Sequence, residues 1–212
     1  MRRGFALAVL SIAVLISLAC AGQGPEKSGL AKELPDIVLQ VNDVASELGL
    51  SEDVVRITEA RFWSNEQMAN QLPGDPFRIS SDLQEIQAAG RVQGYLVRYA
   101  AGPPLAGTGV NVALDLYADD TAAQRALQIR PLNISRDAII VPRVGDASIA
   151  WQQATRGDSP TCPCHFRFRV GPLLATVSTS YPGPSPPPEL DPAKVALAEV
   201  MAQRMREALD RG

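Results

Sequence analysis

The chain has 212 residues, 46% hydrophobic and 20% charged, with a formal net charge of −3. That length can bury one sizeable core, while the acidic balance excludes a nucleic-acid binder and an electrostatic membrane surface. With one histidine and three cysteines, a histidine-pair metalloprotease site is excluded as well.

Arg2 and Arg3 precede an apolar stretch from Phe5 to Leu18, interrupted only by Ser11 and Ser17, and Ala19 closes it. Basic start, apolar core and small final residue make an export signal. Fourteen helical residues at about 1.5 Å each reach roughly 21 Å, short of the roughly 30 Å of bilayer hydrocarbon, so a permanent span is disfavoured. Ile16-Ser17-Leu18-Ala19-Cys20 resembles the lipobox of bacterial lipoproteins, with Ser17 where leucine is usual. The resemblance implies a signal peptide over residues 1–19, diacylglycerol on the Cys20 thiol, cleavage before Cys20, and acylation of the freed amine, for instance with palmitate. The alternative is an ordinary secretory cut at Ala19-Cys20-Ala21. Two or more acyl chains make a stable anchor where one is marginal. The implied partner is thus a lipid bilayer, with the domain held on its extracytoplasmic side. Losing Arg2 and Arg3 leaves 18 basic residues against 23 acidic ones, −5 in place of −3.

Residues 20–33, with Gly22, Gly24, Pro25 and Gly29, read as a lipidated flexible tether, and residues 34–212 as a single domain. Ile37 to Val41 fits a short strand and Val44 to Leu48 a helical turn stopped by Gly49. Val54 to Trp63 is rich in β-branched and aromatic residues and fits a strand. Ser64 and Gln67 have capping-box spacing, predicting a helix over 65–72 that ends at Pro73-Gly74. Ser81 caps a second helix over 82–89, ended by Gly90. Tyr95, Val97 and Tyr99 alternate with Leu96, Arg98 and Ala100. After Gly102-Pro103-Pro104, Val110, Val112, Leu114 and Leu116 alternate with Asn111, Ala113, Asp115 and Tyr117. Period two with polar residues on one side predicts half-buried antiparallel strands. Asp119, Asp120 and Thr121 start a helix that runs from Ala122 to Ile129 before Pro131.

Ala138–Val141 and Ser148–Ala154 fit strands around the turn at Gly145-Asp146, and His165–Val170 and Leu173–Ser180 fit a hairpin around Gly171-Pro172. Six prolines between Pro182 and Pro192 make a stiff connector; Asp191 then caps a last helix, with Val195, Ala198, Met201, Met205 and Leu209 as its apolar stripe. The expected fold class is α+β: an antiparallel sheet, in one part or two, with helices packed on one face and a C-terminal helix. Gly90-Arg91-Val92-Gln93-Gly94-Tyr95 and Val144-Gly145-Asp146 resemble stretches of uncharacterised extracytoplasmic lipoprotein domains, and carry no catalytic residues to transfer.

Thr161-Cys162-Pro163-Cys164-His165 is the one dense chemical cluster. Outside the cytoplasm, Cys162 and Cys164 can close a small, strained disulfide or remain free thiols. Alternatively, two thiolates and the His165 imidazole suit zinc or cuprous copper. In an extended segment the two cysteines share a face and His165 points away, so a metal would need ligands from elsewhere. One intervening residue does not make a thioredoxin-like site, which needs two. No nucleophile elbow or phosphate loop occurs, and Asp119, Asp120 and Asp146 read as helix-start and turn residues before catalytic acids. The sequence therefore points to a non-enzymatic, membrane-tethered envelope lipoprotein without a cofactor, binding a protein partner or small ligand. The alternatives are a metal- or thiol-handling protein using Cys162, Cys164 and His165, and a hydrolase acting through facing carboxylates.

Overall fold

The computed structural model describes residues 25–71, 83–128, 134–139, 142–153, 164–180 and 190–212. Cys20 with its signal segment, Cys162 and the proline connector at 182–188 lie outside the described residues.

Helix α1, Pro25–Ile37, begins inside the segment expected to be a tether. Its stripe of Leu30, Ala31, Leu34 and Ile37 recurs at helical spacing, and Leu34 and Ile37 are fully buried. The boundary drawn at residue 33 cut that stripe in two. No strand forms at Ile37–Val41: Val38 and Leu39 are buried in the link to α2, Val41–Glu47. A three-residue apolar run looks the same in a buried link as in a strand. Gly49, at φ +66°, turns the chain after α2.

Strand β1, Val55–Trp63, leads into α3, Asn65–Gln71. The expected capping box is present: the Ser64 amide donates to Gln67 Oε1 at 2.8 Å and the Gln67 amide to Ser64 Oγ at 3.2 Å. Residues 83–88 form α4. Then come β2, Arg91–Ala101, and β3, Gly109–Tyr117, followed by α5, Asp120–Gln128. Strand β4, Ile134–Ile139, starts four residues before its expected position; β5 is Ala147–Gln153. The hairpin of β6, Cys164–Val170, and β7, Leu173–Ser180, turns at Gly171-Pro172 as expected, and α6, Leu190–Arg211, closes the fold.

The strands form one antiparallel sheet in the order β1-β2-β3-β7-β6-β5-β4. Pairing of β3 with β7, from Gly109 opposite Ser180 to Leu116 opposite Leu173, joins the two halves that the sequence left separable. One face carries Val97, Val112, Leu114, Phe166, Phe168 and Val177 and is covered by α1, α2 and α6, with Leu197, Met201 and Met205 at the centre. Most of the folding free energy resides there, at about 25 cal/mol per Å² of apolar surface buried. Helices α1, α2 and α6 gather on this face as expected, but α5 does not. That helix lies on the opposite face, where Ala122, Ala123, Ala126 and Leu127 pack on Tyr117 and Leu174. Among the described residues no helix is long and apolar enough to cross a membrane.

Candidate functional site

The cysteine–histidine cluster divides between described and undescribed residues. Cys164 opens β6 opposite Thr179 of β7, and His165 follows it opposite Ser178 and Trp151. As neighbours on one strand they occupy opposite faces. Burial, then the charges of Arg167 and Lys194, pull the His165 pKa down to about 4. Those two cations give the imidazole positive surroundings, which oppose a metal ion. Among the described residues no three His, Cys, Asp or Glu side chains gather at metal-binding distance.

The aspartates that invited a catalytic reading have structural partners. Asp115, 6% exposed, accepts from Arg91 Nε at 2.9 Å and Nη2 at 2.7 Å. Arg91 also donates to Asn65 Oδ1 at 2.7 Å and the Trp63 carbonyl at 3.2 Å, and its guanidinium stacks 5.1 Å from the Trp63 ring. A buried charge is tolerable only when paired and hydrogen-bonded, and this one is both. Asp146 Oδ2 accepts from the Gly171 amide at 2.8 Å and pairs with Arg169 at 3.2 Å, so it clamps two turns together. Gly145 beside it has no alternative, because a Cβ there would sit 2.3 Å from the Arg169 carbonyl oxygen. Asp119 Oδ1 accepts from the Ala122 amide at 2.7 Å, the N-cap expected for α5.

The candidate site is elsewhere, in a cleft of about 520 Å³ at one end of the sheet. Four separate segments line it: Gly29, Leu30 and Glu33 of α1; Leu116 through Asp120 at the β3–α5 junction; Pro172 in the β6–β7 turn; and Ala208, Leu209 and Gly212 at the end of α6. Backbone hydrogen bonds fix the junction, Tyr117 N to the Pro172 carbonyl at 2.9 Å and Ala118 N to the Gly90 carbonyl at 2.8 Å. Leu30, Leu209 and Pro172 make an apolar floor over the buried Leu116 and Ala208, while the exposed Glu33, Asp119 and Asp120 put carboxylates at the rim. The position a Cβ of Gly171 would take lies 3.0 Å from a Leu209 methyl and 3.7 Å from Asp120 Oδ1, so apolar wall and carboxylate adjoin.

Among the described residues that line the cleft, the charged ones are all acidic: Glu33, Asp119 and Asp120. Arg211 reaches Glu33 only at 4.0 Å, with both side chains about half exposed or more, so it offsets little. The α6 C-terminus adds roughly half a negative charge from its unpaired carbonyls, while the positive end of α5 is answered by Asp119 and Asp120. Sequence reasoning missed the site because its residues come from four parts of the chain. Asp119 and Asp120 were its one visible signal, and they read first as helix-starting residues.

No protein-family model matches the chain, and no curated protein matches it in sequence. Solved structures similar to it include the extracellular domain of PknH from Mycobacterium tuberculosis, with a TM-score of 0.54 at 8% identity, covering 82% of this chain and 96% of that one. An uncharacterised protein from Mycobacterium smegmatis, the Rv0999 ortholog, gives 0.44 at 9% identity, covering 77% and 95%. The first likeness is one of fold; at these identities no site residue carries over.

Proposed function

We propose that this protein is a lipid-anchored extracytoplasmic binding protein, held to the membrane through Cys20 and using the cleft between α1, α5, α6 and the β6–β7 turn to take a ligand, without catalysing a reaction. The observation that carries the reading is the cleft: about 520 Å³ with an apolar floor and a few convergent polar groups is the size and make-up of a small-molecule site. Against catalysis, Asp115 is committed to Arg91, and Asp119 uses one oxygen to hold the start of α5. Sharing a fold with an extracellular domain supports the location without fixing it.

Anchor and cleft are close along the chain. Five residues from Cys20 to Pro25 span at most about 18 Å extended, and four more along α1 reach Gly29 in about 6 Å. The cleft therefore lies within about 25 Å of the acylated sulfur, a distance that keeps it beside the bilayer. Fractionation of cells expressing wild type and Cys20→Ser tests the anchor: the wild type is expected in the membrane fraction and the variant in the soluble extracytoplasmic fraction. Equal partitioning of the two would overturn it.

A further inference from the structure

We infer that the cleft is specific for a cationic ligand with an apolar body, an ammonium or guanidinium group carried on a ring or short hydrocarbon chain; this rests on the cleft being a binding site, as proposed above. Every wall contributes. Leu30 from α1, Pro172 from the turn and Leu209 from α6 offer apolar surface and no hydrogen-bond donor from their side chains, backed by the buried Leu116 of β3. A ligand body that fills the floor must therefore be apolar, because a buried polar group left unpaired costs more than the contact returns.

The rim sets the sign of the head group. Glu33 stands on the α1 side, and Asp119 and Asp120 on the α5 side. Asp119 gives Oδ1 to the Ala122 amide and keeps its second oxygen. The α6 C-terminus faces the same space through Ala208, Leu209 and Gly212, adding carbonyl dipoles of the same sign. Among the described residues three carboxylates and a helix C-terminus line this space, while the nearby guanidiniums are engaged: Arg211 loosely with Glu33, and Arg169 with Asp146, Gln124 and the Gly171 carbonyl. An anion entering here would lose hydration against like charge, while a cation would trade water for carboxylate oxygens.

Gly29 offers a place for a block. It lines the cleft, and a Cβ built on it meets nothing within 4 Å, so a large side chain at the cleft's edge is accepted without a clash at its Cβ. The test uses the full chain in phosphatidylcholine nanodiscs, titrated by isothermal calorimetry or saturation-transfer NMR with benzyltrimethylammonium and with phenylmethanesulfonate, which have the same ring and opposite charge. The cation is expected to bind at least tenfold more tightly than the sulfonate, and more weakly as ionic strength rises. Gly29→Trp is expected to abolish binding. Glu33→Gln with Asp120→Asn, which leaves the α5 cap in place, is expected to weaken it about tenfold, roughly threefold for each exposed carboxylate. Preference for the sulfonate, or equal affinity for both, with Gly29→Trp still abolishing binding overturns the ligand class and leaves the cleft as a site. Binding of either probe that survives Gly29→Trp in a variant with an unchanged thermal melt, or no binding of either probe, overturns the cleft itself.

Discussion

Gly94 should be among the least replaceable residues in the molecule, and the reason is packing, not backbone conformation. It sits in β2 between Trp63 of β1 and Asp115 of β3. A Cβ there would lie 1.9 Å from Arg91 Nη2, 2.2 Å from Trp63 Nε1 and 2.5 Å from Asp115 Oδ1. All three groups are buried, and Arg91 and Asp115 are hydrogen-bonded partners, so none can swing into solvent. Gly94→Ala must push the guanidinium off the carboxylate, and breaking a buried pair costs about 3–5 kcal/mol. For a domain of this size that is a fall in Tm on the order of 10 °C, a large part of a total stability of about 5–15 kcal/mol. Urea unfolding followed by circular dichroism reads this as a lower midpoint with an unchanged slope. Gly29→Ala is the control: its Cβ meets nothing, and an exposed helical glycine replaced by alanine gains about 0.5–1 kcal/mol. If Gly94→Ala fell within about 1 kcal/mol of wild type, the buried Arg91–Asp115 pair would not be the keystone described.

Substitutions at three further positions test separate parts of the fold. His165 is held neutral by burial and nearby cations, with its pKa lowered to about 4. In the unfolded chain it takes a proton near pH 6.5, so stability falls as pH drops from about 6.5 to 4 and then levels, by up to about 3 kcal/mol. His165→Gln should lose that component, seen as a smaller difference between urea midpoints at pH 7 and pH 4.5; an identical pH dependence would refute it. The buried Tyr99 hydroxyl donates to the Leu39 carbonyl, tying β2 to the α1–α2 link. Tyr99→Phe should cost about 1–2 kcal/mol by leaving that carbonyl unpaired, and amide exchange at the start of α2 should quicken. Asp119→Ala removes the α5 cap for about 1 kcal/mol, while Asp119→Asn, an equally good cap, should be close to neutral in a thermal melt.

What could be read from the chain was set by how local each signal is. Strands β2 and β3 announce themselves by alternation, β6 and β7 by the turn at Gly171-Pro172 between them, and α3 by a capping box that needs only Ser64 and Gln67. Helix α1 was hidden because Gly22, Gly24, Pro25 and Gly29 look like tether, while its apolar stripe shows only when residues 30 to 37 are taken together. The face that α5 covers is not a local property. Asn111, Ala113, Asp115 and Tyr117 read as the wet side of β3, yet Asp115 and Tyr117 are both buried. The charge of Asp115 is tolerated there because Arg91 comes from a different strand, a pairing with no trace in sequence spacing.

The same locality explains why Gly94 and the acidic pair were undervalued. Gly90 turns the chain at φ +79°, as a turn glycine should, but Gly94 four residues later is empty space kept for a tryptophan, an arginine and an aspartate. Turn chemistry accounts for the first and says nothing of the second. Asp119 and Asp120 likewise satisfy the helix start, and a residue with a sufficient local explanation attracts no further inquiry. A cap uses one carboxylate oxygen of Asp119 and leaves the rest of the acidic charge facing the cleft, beside Leu209 and across from Glu33. Capping needs only one short side-chain acceptor, and serine or asparagine serves as well as aspartate. Two consecutive aspartates at a rim already facing a helix C-terminus raise like-charge repulsion that capping does not require, and a cation between those walls removes it.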